Sequence, residues 1–143
     1  MTFMPKIDYR RVFQITPNPT ALLTADLVIL DANDDWVETL GRRPDDLVGR
    51  EVFSVFLKMP RGPGGPGVTA LEFAAVSRQR EVTHLTRYDF EDPGRAGVFE
   101  ERYWSSVVTP LRAPDGHVEM LELSAREVTS VISDFRSMQA QQG

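Results

Sequence analysis

The spacing of apolar and polar residues changes several times along the chain, and each change marks an element. Val28-Ile29-Leu30-Asp31-Ala32-Asn33 is a β-branched and aliphatic run too short for a helix, and it predicts a buried strand. It runs directly into Asp34-Asp35-Trp36-Val37-Glu38-Thr39-Leu40-Gly41, which predicts a short helix. Asn33 suits its N-cap, because a side-chain carbonyl there accepts from the first free backbone N–H groups. Asp34 and Asp35 sit at the positive end of the helix dipole, and Gly41 supplies the left-handed residue that closes the helix. Upstream, Asp8 caps a helix with Ile7, Tyr9, Val12 and Phe13 as its apolar stripe. That helix must stop before Pro17, since proline disfavours helical geometry in the residue ahead of it. Thr20–Thr24 is the first strand, and a turn at Ala25-Asp26 pairs it antiparallel with the Val28 strand.

Downstream, Pro44-Asp45-Asp46-Leu47 predicts a single helical turn, with proline at its first position and Gly49 ending it. Arg50 to Lys58 carries Val52, Phe53, Val55, Phe56 and Leu57, core material of undecided type. Arg61 to Gly67 reads as a loop; no Gly-Lys-Ser/Thr follows, so it is no phosphate cradle, and it is too short for collagen. Thr69-x-x-Glu72 is a capping box opening a helix with Leu71, Ala74, Ala75 and Val76 that ends near Arg80. Val82–Phe90, Phe99–Leu111 and Val118–Arg126 alternate as strands. Glu91–Gly97 joins the first two, and Pro114-Asp115-Gly116 is a tight turn before the third. At the end, Val128, Val131, Phe135 and Met138 form a short heptad seam among Ser and Gln. Two strands, several short helices and three strands make an α+β antiparallel sheet with helices on one face.

Composition narrows the chemistry. A chain of 143 residues is one domain, and a net charge of -5 argues against a basic face for nucleic acid. The absence of cysteine removes disulfides, thiolate metal sites, cysteine nucleophiles and thiol adducts together. Met1 to Lys6 lacks the pattern of a signal peptide and no apolar run has membrane-spanning length, so the expectation is a cytoplasmic domain with no membrane partner. The abrupt end at Gln141-Gln142-Gly143 reads as a module truncated from, or dependent on, a larger partner. Asp31-x-Asn33-x-Asp35 has the spacing of a calcium-loop opening, but Trp36 stands where the sharp-turn glycine belongs and no closing bidentate Glu follows. Glu100 and Glu101 are strand neighbours pointing to opposite faces, so they form no catalytic pair, and no Ser/His/acid cluster exists in sequence. The chain is not expected to be an enzyme.

Six motifs in their order carry a family resemblance: Val28 to Asn33, Arg43 to Arg50, Arg87-Tyr88-Asp89, Phe99 to Ser105, Thr109-Pro110-Leu111 before Asp115-Gly116, and Glu127-Val128-Thr129. From Tyr9 to Val131 the chain resembles a PAS domain of the subtype found beside histidine kinases and other bacterial signalling outputs. The resemblance implies a five-stranded antiparallel sheet with short helices on one face and a ligand cavity between the two. It also implies an N-terminal cap helix (1–16), a PAS core (17–128) and a C-terminal signalling helix (129–143) that leads to an output domain or partner protein. Flavin light sensors of this superfamily form their adduct on a Cys in an Asn-Cys-Arg context, which is missing, and a thioester-linked chromophore is excluded likewise. Haem needs an axial ligand, commonly His; only His84 and His117 exist, and the Thr69–Arg80 helix has none. The cofactor, if any, stays unknown.

Strand alternation places Val82, His84, Thr86, Tyr88 and Phe90 on one face, read as the inward one. By resemblance Arg102, Trp104, Ser106 and Val108 point inward on the next strand, joined by Leu121, Leu123 and Ala125 on the last. Trp36, Phe53, Leu71 and Ala75 close the space from the helical side. The expected ligand-binding residues are therefore Trp36, Phe53, Leu71, His84, Thr86, Tyr88, Trp104, Ser106 and Leu123. Polar atoms converging on an apolar wall make a small-molecule site, although the same residues also serve as plain core. Arg87 and Arg102 are expected to pair across strands with Asp89, Glu100 or Glu101, and His117 to be a solvated turn residue. The opposite sheet face carries Leu85, Val107 and Met120, to be covered by the first helix or by a second copy. With the C-terminal seam this suggests a symmetric homodimer. The function read from these residues is a sensory or protein-interaction module. The alternatives are a ligand-free dimerisation scaffold and a small cone-shaped isomerase-like enzyme, which would need an inward carboxylate of raised pKa.

Overall fold

A computed structural model describes residues 3–55, 66–92 and 94–142, with every side chain in them except those of residues 53, 66–69, 84 and 91. Helix α1 (Tyr9–Ile15) opens where expected, with Asp8 Oδ1 accepting from Arg11 N at 3.1 Å. Strand β1 (Thr20–Thr24) pairs antiparallel with β2 (Ile29–Ala32). Their turn is one residue longer than the sequence suggests, because Leu27 adopts a left-handed φ of 69° before the ladder resumes. The far edge of β2 is not left open: the Ile29 amide donates to Arg50 O, and Ile29 O accepts from the Gly49 amide.

Helix α2 (Asp34–Leu40) is closed by Gly41 at φ 67°, and α3 (Pro44–Leu47) starts on its proline. The undecided stretch contains α4 (Val52–Val55), whereas Phe56 and Leu57 lie outside the described residues. Most of the expected glycine-rich loop also lies outside them, but Pro66 and Gly67 belong to α5 (Pro66–Ser77). The capping box at Thr69 is therefore a misreading, since Thr69 is already inside the helix. A proline start explains this, as its fixed φ and missing N–H suit the first helical position. The helix ends at Ser77 rather than near Arg80, where Arg78 turns left-handed at φ 62°.

The first two of the three strands expected after α5 are each broken once, and the third is continuous. Strand β3 (Glu81–Arg87) is followed by β4 (Phe90–Glu91), and β5 (Phe99–Glu100) precedes β6 (Tyr103–Arg112). Strands β4 and β5 make a separate two-stranded ladder. Strand β7 (Val118–Glu127) completes a five-stranded antiparallel sheet of order β2-β1-β7-β6-β3, and helix α6 (Thr129–Gln142) follows.

The core lies between this sheet and the helices. Ala21, Leu23, Val108 and Leu121 from the sheet meet Trp36, Leu47, Leu71 and Ala74 from the helices, all nearly inaccessible. Burying one such Leu contributes roughly 2–3 kcal/mol. Helix α1 does not cover the outer sheet face. It packs on α2 and contains no buried residue.

Candidate functional site

Cross-strand partners share a face, so the register fixes which residues look inward. Trp104 pairs with Thr86, Ser106 with Thr83 and Ala125, and Val108 with Glu81 and Leu123. Val108 is 1% exposed, which makes this the core face. The inward placement of Thr86, Trp104, Ser106 and Leu123 follows. Val82 does not join them: it pairs with Val107 on the outer face and is 48% exposed. The reason is a bulge between Thr83 and Thr86, where three steps along β3 match two along β6. An extra residue inverts the alternation that a regular strand keeps.

The expected site residues form two groups rather than one. Trp36 and Leu71 belong to the main core, with Leu123 packed against it. Trp104 is 5% exposed but sits in a second, aromatic cluster. Its indole N–H donates to the carbonyl of Tyr88 at 3.0 Å. Phe90 stands edge-on to its ring at a centroid distance of 5.4 Å, and Tyr88 stands edge-on to Phe90 at 5.7 Å. Such perpendicular contacts suit the ring quadrupoles and add about 0.5–1.5 kcal/mol each beyond burial. Ser106 lies between the groups on β6, half-buried. The side chains of Phe53 and His84 lie outside the described ones. His117 is exposed at the β6–β7 turn, its Nδ1 2.5 Å from Asp115 Oδ1.

Arg102 is the member of this cluster that sequence reasoning undervalued. Its guanidinium lies 5.1 Å from the centre of the Phe90 ring. One terminal nitrogen donates to the carbonyl of Thr39 at the C-terminal end of α2, 3.2 Å away, where the helix dipole is negative. The same nitrogen lies 3.6 Å from Glu127, and the other bonds Glu100 at 3.1 Å. Its backbone amide donates to Asp89 Oδ1. Arg102 thereby ties the helical half to the last residue of β7. The clue was present in the sequence: a cation next to Tyr-Trp on a strand predicted to face inward. The partners Thr39 and Glu127 are 63 and 25 positions away, beyond any local pattern.

The expected ion pairs of Arg87 and Arg102 form mainly along the strand, as Arg87–Asp89 at 3.0 Å and Arg102–Glu100 at 3.1 Å. Asp89 is held below the usual carboxylate range by its hydrogen bonds with Arg87 and, secondarily, with the Arg102 amide, against the opposing effect of burial. Neighbouring Tyr103 points the other way and holds α6. Its backbone N–H donates to Thr129 Oγ1 at 2.9 Å, and its carbonyl accepts from Val128 N at 2.8 Å. Arg136 lies over its ring and donates to its hydroxyl at 2.9 Å, and that hydroxyl donates to Glu101 at 2.5 Å. Glu101 also pairs with Arg136 at 3.3 Å. The Tyr103 hydroxyl and then Arg136 hold the Glu101 carboxyl below its ordinary pKa.

A family model described as the PAS fold matches residues 13–132. The chain belongs to the PAS family. Solved structures with this fold agree. The PAS domain of a protein from Colwellia psychrerythraea is similar at a TM-score of 0.65 and 13% identity, over 85% of this chain and 95% of that one. The PAS domain of nitrogen regulation protein NR(II) from Vibrio parahaemolyticus gives 0.60 and 15%, over 85% and 99%. An RNA-binding light-oxygen-voltage receptor gives 0.68 and 17%, over 94% of this chain and 35% of that one. No curated protein matches the chain. Among the described residues of this PAS domain, no helix is long and apolar enough to cross a membrane.

Proposed function

We propose that this PAS domain is the cytoplasmic sensory and interaction module of a signal-transduction protein and not an enzyme. A small molecule or partner acts on the aromatic cluster, and the change leaves through α6 in a homodimer. One observation carries the reading. Three consecutive residues leading into β6 face three different parts of the fold: Arg102 binds the end of α2 and Glu127, Tyr103 binds α6, and Trp104 lies in the aromatic cluster. A shift of β6 at Trp104 therefore displaces the anchor of the exit helix one residue away. Apolar side chains left exposed on the outer sheet face (Val82, Leu85, Leu111) and on α6 (Val131, Phe135, Met138) support the dimer. The non-enzymatic reading is supported by the carboxyls of Asp89, Asp92, Glu101 and Asp115. Their pKa values are displaced, all downward, whereas a general acid or base working near neutral pH needs one raised.

The ligand-free scaffold keeps one argument in its favour, the closeness of the main core, where Leu23, Leu47, Ala74 and Leu121 are wholly inaccessible. Native mass spectrometry of the purified protein, beside its denatured mass, separates the two. A dimer carrying a small molecule that is lost on denaturation supports the sensor. A dimer of bare chains that also takes up nothing from a metabolite extract establishes the scaffold.

A further inference from the structure

Helix α1 has an outer stripe that none of the described residues covers: Tyr9 is 75% exposed, Val12 51% and Ile15 69%. Beside its C-terminal end, between α1 and α2, lies an open groove of about 290 Å³ lined by Ile15, Thr16, Asp34, Asp35 and Glu38 among others. None of these three acids forms an ion pair among the described residues, and neither do the exposed bases Lys6, Arg10 and Arg11 at the other end of the helix. One helix thus carries an apolar stripe, bases at its start and an acidic groove at its end.

We infer that α1 packs antiparallel on α1 of a second copy, Val12 facing Val12 across the two-fold axis and Arg11 of each copy entering the acidic groove of the other. This rests on the homodimer proposed above and specifies its contact. Charge decides the direction. The start of α1 is net positive, with Lys6, Arg10 and Arg11 outweighing the capping Asp8, so a parallel pair sets two positive starts and two acidic grooves side by side, whereas an antiparallel pair brings each start to a groove. The contact is isologous, so each charge pair occurs twice. A helix of seven residues is about 10 Å long, so the stripe and the two charged ends are all engaged at once.

The natural absence of cysteine makes the test clean. Under mild oxidation, Val12→Cys is expected to form a disulfide dimer, Tyr9→Cys alone is not, and Tyr9→Cys mixed with Ile15→Cys is expected to give the crossed dimer. In sedimentation, Arg11→Glu is expected to weaken dimerisation about tenfold or more, since each change acts twice. Adding Glu38→Lys is expected to return the affinity to within about threefold of the unaltered protein. Circular dichroism checks that each variant folds. Self-linking of Tyr9→Cys as fast as Val12→Cys overturns the antiparallel arrangement. A dimer indifferent to Arg11→Glu, or not recovered by Glu38→Lys, overturns the groove as the seat of Arg11 and leaves the homodimer standing on another face. An unaltered protein that is monomeric at high concentration overturns both readings and assigns the stripe to a different protein.

Discussion

Replacing Asn33 by Ala tests the reasoning about the helical half most directly. Asn33 is fully buried. Its Oδ1 accepts from the Trp36 amide at 3.0 Å, as an N-cap should, and also from the Thr20 amide at 2.9 Å. Its Nδ2 donates to the carbonyls of Thr16 at 2.9 Å and Asn18 at 3.0 Å. Of these four partners, the Asn18 carbonyl keeps another hydrogen bond, from Thr20 Oγ1. At about 1 kcal/mol net for each bond, with buried groups left unpaired, the loss sums to about 3–4 kcal/mol. For a domain of this size that lowers Tm by about 10 °C. Urea denaturation gives the free energy and calorimetry the midpoint. Asn33→Asp sharpens the test. It keeps the accepting oxygen but turns a second oxygen toward two carbonyls, so burial and lone-pair repulsion favour the protonated acid. Its folded pKa then lies above the unfolded one, and the variant is relatively most stable at low pH and loses stability as pH rises through the folded value. An Asn33→Ala cost of only about 1 kcal/mol, the worth of a plain helix cap, would refute the claim that this side chain stitches the α1 connector to the sheet. So would an Asn33→Asp variant whose deficit is the same at pH 4 and pH 7.

Two further predictions concern the sheet and its exit. Tyr103→Phe removes the hydroxyl that joins Glu101 and Arg136 but keeps the ring and the backbone anchor; amide exchange in 129–142 should rise about fivefold, and unchanged protection would show that the hydroxyl does not hold α6. The pKa of Asp89 is lowered on folding, so its contribution is present above the unfolded value, about 4, and is lost as pH falls through the folded one. Asp89→Asn should therefore differ from the unaltered protein at pH 6 and approach it near pH 3; a gap independent of pH would contradict the pairing with Arg87.

Local chemistry was readable where a residue's role depends on its neighbours in sequence. The caps at Asp8 and Asn33 and the left-handed close at Gly41 are of this kind. So is the strand Thr20–Thr24, and the family pattern carried the topology. What failed depended on distant partners or on backbone irregularity. The β3 bulge has no marker at Thr83 to Thr86, and without it the alternation assigns Val82 to the wrong face. The β4–β5 ladder interrupts two strands that look continuous. The sequence places Trp104 and Trp36 on opposite walls of one cavity, but the first lies outside the main core, and only the packing of Phe90 and Arg102 around it shows that.

The two flanking helices are fastened to opposite halves of the domain. Helix α1 rests on α2, with its connector held by Asn33, while α6 is fastened to Tyr103 on the sheet. A movement of α2 that carries α1 away from the start of β6 therefore changes the separation of α1 and α6. The pair works as a caliper, turning a small opening inside the domain into a distance that probes attached at residues 9 and 138 can read from outside.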